Sequence, residues 1–219
     1  MTNPPDPGSG HDHDHGHDPA REVARLEAEY AFDPGVHAYE LADALSGLAI
    51  ALDVAGDKDG ARAHFDRAVS VARDAYQHAT PATGDIRAHE DLLTHLFNFI
   101  QYSLKDGDAV DAITGADEAL ALLAAVATRA RSEEGDDART TAGRALYLDF
   151  RGTALSMLGR NAESLEAHSE AALLLALSHD AYPQQVEFLE RHIANRMAKV
   201  IEDEDPEPGT GPRRGAGAS

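Results

Sequence analysis

Histidine fills alternate positions in one short stretch near the start of the chain. The segment "GHDHDHGHD" covers residues 10–18 and intersperses imidazoles with carboxylates. These are donor groups that bind Ni²⁺, Zn²⁺ or Cu²⁺, and in a flexible chain two or more imidazoles can close on one ion. The spacing therefore indicates a loosely defined metal site, and its ligands would be His11, His13, His15 and His17.

A second interpretation of this tail involves no metal. Residues 1–18 contain no large apolar side chain after Met1, so they cannot bury a core and are expected to be disordered. An expression tag fits less well, because tags are usually uninterrupted histidine runs. Metal handling by the tail and a tail without such a role both remain open hypotheses.

Two further stretches invite comparison with known metal motifs. "HEDLLTH" (residues 89–95) resembles the helical zinc-protease motif, but that motif needs its second histidine four positions after the first. His89 and His95 are six positions apart and diverge around a helix, so both are predicted to be helix-surface histidines. "DKDG" (residues 57–60) would need an acid two residues earlier and a Glu at the end of a calcium loop, but Ala55 and Asp66 stand there, so it indicates a turn.

The other signatures of catalysis are missing from the sequence. There is no nucleophile elbow, phosphate loop or dinucleotide fingerprint, and no cysteine for a disulfide, a thiolate site or a nucleophile. We therefore expect a protein that is not an enzyme and has no cofactor, apart from a divalent metal at the tail.

Acidic residues outnumber basic ones by 39 to 19, which gives a formal net charge of −20. Residues 19–201 alone hold 30 acidic and 17 basic side chains, so the excess is not confined to the ends. Neither nucleic acid nor an anionic membrane is expected as a partner, because both are bound by basic faces. Basic partners are permitted, although solubility explains the acidity equally well.

Apolar periodicity predicts helices and no strand over residues 19–202. Leu and Ala dominate the 42 % of apolar residues, aromatic residues make up 5 %, and tryptophan is absent, as suits closely packed helices. The predicted helices cover about 19–30, 36–55, 61–79, 86–104, 109–131, a segment ending near 158, 161–178 and a last segment after 183. Turn glycines at Gly56, Gly107 and Gly159 are separated by 51 and 52 residues, so the helix pairs form an internal repeat.

The repeat units resemble the tetratricopeptide repeat family. The unit "ALSGLAIALDVAGDKDGARAHFDRAV" matches the family pattern with Leu45, Leu48, Ala49, Leu52, Gly56, Ala61, Phe65 and Ala68. A later unit keeps Leu148, Gly152, Leu155, Gly159 and Ala171, but has Arg151 in place of Leu, Ser164 in place of a small Ala and His168 in place of the bulky aromatic. The middle unit keeps Leu96, Phe99, Gly107, Ala112 and Ala119, with Ile100 and Ala116 as departures. The long period is similar to that of the long-helix variants in kinesin light chains and bacterial regulatory proteins.

This resemblance implies a right-handed superhelical stack of helix hairpins over residues 19–202. The last predicted helix has one apolar stripe and a charged opposite face, as a C-terminal capping helix needs. The ends at 1–18 and 203–219 are expected to be disordered because of their composition. It implies an adaptor or regulatory subunit that binds a peptide or protein surface in a concave groove and performs no catalysis. By analogy with the family, the groove would be lined by Asp43, Ser46, Asp53, Thr94, Asn98, Gln101, Asp149, Thr153 and Ser156. This set contains almost no basic side chain, so a basic or polar partner is expected.

Three further expectations concern the oligomeric state, a signal peptide and the localisation of the protein. An incompletely capped stack can pair end to end, so a homo-oligomer is one hypothesis. The N-terminus lacks a basic start followed by an apolar run, so no signal peptide is expected. No stretch approaches ~20 consecutive apolar residues. Cytoplasmic localisation follows as the default expectation.

Overall fold

The computed structural model describes residues 18–79, 86–130, 138–178 and 183–204. Within these ranges the chain forms helices and no strand, so the all-α prediction is confirmed. The helices are α1 (Pro19–Phe32), α2 (Pro34–Ala55), α3 (Lys58–His78), α4 (Ile86–Asp106), α5 (Ala109–Ala130), α6 (Ala138–Met157), α7 (Asn161–Ser178) and α8 (Pro183–Glu204).

The turns that separate α2 from α3, α4 from α5 and α6 from α7 each contain a glycine with positive φ. The φ angles are 86° at Gly56, 92° at Gly107 and 70° at Gly159. A side chain at such a position would crowd the backbone, which is why the turns that define the repeat use glycine. The predicted helix ends are close to those observed. The main difference is at α3, which begins at Lys58 and not at Ala61.

The earlier start of α3 has a local cause in Asp57. The Asp57 Oδ1 accepts a hydrogen bond from the Gly60 backbone N–H at 3.0 Å, which satisfies one of the free amides at the helix N-terminus. The segment "DKDG" therefore serves as a turn and a helix cap. Asp18 has the same role at α1, where its Oδ1 accepts from the Ala20 N–H at 3.1 Å.

Replacing Asp57 by alanine is expected to lower the free energy of unfolding by about 1 kcal/mol, because the cap hydrogen bond is lost. Asp59→Ala is the matched control, since Asp59 is exposed on the first turn of α3 and caps nothing. It is expected to change stability by about 0.5 kcal/mol or less. Urea denaturation followed by far-UV circular dichroism compares the two variants, and equal losses would contradict the capping role.

Each helix packs against the next one along the chain, and α2–α4, α4–α6 and α6–α8 are also in contact. The first helices of the successive pairs therefore lie beside one another, with α8 at the end of the row. Alanine and leucine at helical spacing fill the interfaces, and one continuous core extends from α1 to α6. A second core cluster joins α6 and α7 to α8 through Leu148, Leu175 and Ile193.

The histidine tract His11–His17 and the segment 205–219 lie outside the described residues. In the part of the chain that the structure describes, no helix combines the length and the apolar character needed to cross a bilayer.

Candidate functional site

The face shared by α2 and α4 carries polar and charged side chains that meet across the two helices. Three such contacts are distributed along α2. Near its start, the Arg87 guanidinium of α4 lies 4.4 Å from the ring centre of Tyr39. In the middle, His95 Nε2 lies 3.6 Å from Asp43 Oδ1, and near the end Lys105 Nζ lies 2.6 Å from Asp53 Oδ2. These contacts hold the two helices side by side along most of their length.

The middle contact belongs to a cluster of four side chains. The Ser46 Oγ lies 2.8 Å from Nδ1 of His95, and the opposite ring nitrogen, Nε2, lies 3.6 Å from Oδ1 of Asp43 and 3.6 Å from Oδ1 of Asp91. His95 is 1 % exposed and Ser46 5 %, whereas the side chain of Asp43 is 73 % exposed. The imidazole of this cluster is thus shielded from solvent, whereas the Asp43 carboxylate is accessible to it.

Helix geometry explains how this cluster forms. Asp43 and Ser46 are three positions apart on α2, and Asp91 and His95 are four apart on α4, so each pair lies on one face of its helix. The α2–α4 contact then brings the two faces together. Partial removal of solvent raises the pKa of Asp43; the His95 imidazole opposes this change and the charge of Asp91 adds to it.

Serine, histidine and aspartate in this order are also the groups of a nucleophilic triad. That chemistry needs a serine hydroxyl that a substrate can reach, and Ser46 is almost completely buried in the middle of α2. In this arrangement the hydroxyl is hydrogen-bonded to Nδ1 of His95 and fixes the orientation of the ring. The geometry therefore favours a positioning role for Ser46.

A second cluster of histidine and aspartate lies at the other end of the row, between α6, α7 and α8. Asp149 is 1 % exposed and His168 is fully buried, with His168 Nδ1 located 3.2 Å from Asp149 Oδ1. From α8, His192 Nε2 approaches Asp149 Oδ2 to 3.6 Å and Arg196 Nε approaches Oδ1 to 3.8 Å. A single buried carboxylate thus connects three helices.

The structure places the nine predicted groove residues in different environments. Asp43, Thr94 and Gln101 are exposed, and Asp53, Asn98 and Ser156 are half-buried. Ser46, Asp149 and Thr153 are buried, so the expectation that they face an open groove is wrong. Ser46 is buried because His95 covers it, and Asp149 is buried because α7 and α8 enclose it. The Thr153 hydroxyl donates a hydrogen bond to the backbone carbonyl of Asp149 at 2.8 Å.

Asp91 and His95 belong to the first cluster, although neither is among the predicted site residues. His95 was predicted on the helix surface, and its burial corrects that prediction. A signal existed in the Asp91–His95 spacing, because an i,i+4 pair shares one helix face. No spacing in the sequence pointed to Ser46 as the partner, since it lies 49 residues away from His95.

A separate cavity of about 460 Å³ lies between α1, α2 and the end of α3. Aromatic and small side chains make up most of its wall, together with Asp74 and His78. Neither histidine–aspartate cluster contributes to this wall.

No protein-family model and no curated protein sequence matches this chain at a significant level.

Proposed function

We propose that this chain is a non-catalytic interaction module, an adaptor or regulatory subunit whose helix pairs stack into the superhelix typical of tetratricopeptide repeats. The repeated turns and the contacts among α2, α4, α6 and α8 support this proposal. In such a stack these four helices would form the concave side, to which a partner segment would bind.

A row of exposed side chains on α2 is the observation that carries the proposal. Val36, Asp43, Ile50 and Val54 recur at intervals of seven, seven and four residues, so they share one helix face. The three aliphatic side chains are exposed by 61 %, 50 % and 83 %. These side chains provide apolar surface on α2, beside α4, that a bound chain would cover.

The charge on this face defines the chemistry of the partner. Asp43 lies among the aliphatic side chains, and the adjacent face of α4 offers Thr94, Asn98 and Gln101 as hydrogen-bonding groups. With a formal net charge of −20, the protein attracts basic segments at long range. The partner we propose is a basic peptide segment that also carries apolar side chains.

Affinity capture with the full chain tests this function. The protein is expected to retain a stoichiometric partner from a native lysate, with recovery falling as salt rises because screening weakens attraction between exposed charges. The double variant Ile50→Ser/Val54→Ser is expected to lose this partner. A synthetic basic peptide with alternating apolar residues should bind the wild type more tightly than its acidic counterpart.

The matched control is Leu173→Ser/Leu177→Ser, which changes an equally spaced aliphatic pair on α7 that is exposed by 63 % and 74 %. This variant is expected to keep the partner. Recovery of no stoichiometric partner at any salt concentration, or loss of the partner only in the α7 variant, would argue against the proposal.

A further inference from the structure

We propose that Asp43, Asp91 and His95 bind a divalent metal ion of the zinc class, which connects α2 to α4. Each of the three residues offers one ligand atom, and these atoms all lie within 4.8 Å of one another. The proposed ion would occupy the space between the imidazole and the two carboxylates. This proposal concerns the helical body and depends neither on the histidine tail nor on partner binding.

The separations between the ligand atoms suit an ion better than direct contact. Both carboxylate oxygens lie 3.6 Å from His95 Nε2, beyond the usual range of a hydrogen bond. Zinc holds nitrogen and carboxylate oxygen at about 2.0–2.2 Å, so the edges of its coordination tetrahedron measure about 3.4 Å. The two nitrogen–oxygen separations of 3.6 Å are close to that edge length.

Buried polar atoms without partners provide a second, independent indication. His95 Nε2 and Asp91 Oδ2 are two of the seven buried side-chain atoms without a hydrogen-bond partner among the described residues. Unsatisfied polar atoms are costly inside a protein, and a bound cation would remove this cost at the imidazole. When Nδ1 donates its proton to the Ser46 hydroxyl, the lone pair of Nε2 is directed at the two carboxylates, as a zinc ligand requires.

The donor set selects the class of metal. A neutral imidazole with two carboxylates suits Zn²⁺ and related transition ions, whereas Mg²⁺ and Ca²⁺ prefer sites made of oxygen alone. Because the side chain of Asp43 is 73 % exposed, the ion would be reached from solvent on that side. The fourth coordination position would also face that side, where it would hold water or a side chain of a bound partner.

Metal titration of the full-length chain tests the site, provided that the histidines of the tail can no longer bind metal. In a background with His11, His13, His15 and His17 changed to serine, zinc competition with a chromophoric chelator is expected to show one ion per chain. Cobalt is expected to give the intense visible absorption of a tetrahedral site. Ser46→Ala should weaken zinc binding about 10- to 100-fold, because it removes only the group that orients the ligating histidine.

Substitution of the ligands distinguishes this site from adventitious binding. His95→Gln and Asp43→Asn, made in the same background, are expected to abolish stoichiometric zinc binding and the cobalt spectrum. His64→Gln is the matched control, because the half-buried His64 bonds only its own helix backbone at Gly60. The proposal is wrong if the protein with the histidine-free tail binds no zinc, or if Asp43→Asn in that protein binds zinc with unchanged affinity. Asp43 is exposed, so this variant decides the question even if His95→Gln does not fold.

Discussion

Replacing Asp149 by alanine is expected to lower the free energy of unfolding by about 3–5 kcal/mol. Asp149 is 1 % exposed, and its carboxylate lies 3.2–3.8 Å from nitrogen atoms of His168, His192 and Arg196 on the two following helices. Without the carboxylate, the fully buried ring of His168 would face a small cavity and lose the charged group 3.2 Å from its Nδ1. Thermal and urea unfolding of the variant measure the loss.

Asp117→Ala is the matched control for the Asp149 substitution. Asp117 also forms an ion pair between helices, with Arg151 Nε at 2.8 Å, but its side chain is 53 % exposed. Its removal is expected to change stability by about 1 kcal/mol or less, because water screens and solvates exposed pairs. A loss at Asp149 no larger than that at Asp117 would show that the buried carboxylate does not hold α7 and α8 to α6.

Gly152→Ala is the second substitution with a large expected effect, a destabilisation of about 1–3 kcal/mol from overpacking. A Cβ atom at Gly152 would lie 2.8–2.9 Å from atoms of the His168 ring. That ring is completely buried, so it cannot move aside without disturbing its approach to Asp149. Urea unfolding measures the change.

Gly47→Ala is the comparison variant, for which we expect the free energy of unfolding to rise and not to fall. Gly47 is an exposed residue inside α2, and a Cβ built there meets nothing within 4 Å. Alanine at this position is expected to stabilise the protein by about 0.5–1 kcal/mol, because it restricts the unfolded chain and favours the helix. If both glycine variants change stability in the same direction, contact with His168 is not the reason for glycine at 152.

Local signals in the sequence were sufficient for the helices and their turns. Apolar residues at three- and four-residue spacing defined the elements, and the glycines at 56, 107 and 159 marked turns that indeed have positive φ. Both signals act over a few neighbouring residues, which is why they can be read without the fold. The start of α3 at Lys58 differed because an aspartate cap, and not the first apolar residue, decides where that helix begins.

The predicted groove depended on longer-range information and was therefore less accurate. Thr94 and Gln101 are exposed as expected, but Ser46, Asp149 and Thr153 are not. Whether a polar residue on a first helix meets solvent depends on how the helix is rotated and on what covers it. Adjacent residues are about 100° apart around a helix, so a shift of one residue in the assumed outward face changes which side chains are expected to meet solvent.

Local sequence patterns are enough to predict the repeated helix pairs, the acidic charge and the residue types available for chemistry. The hydrogen bond between Ser46 and His95, 49 residues apart, and the position of His168 against Asp149 depend on how whole helices pack. Burial of a polar side chain usually requires a hydrogen-bond partner, and the partner of Ser46 and His95 lies in each case on another helix. That partner depends on the packing of whole helices, and no local pattern encodes it.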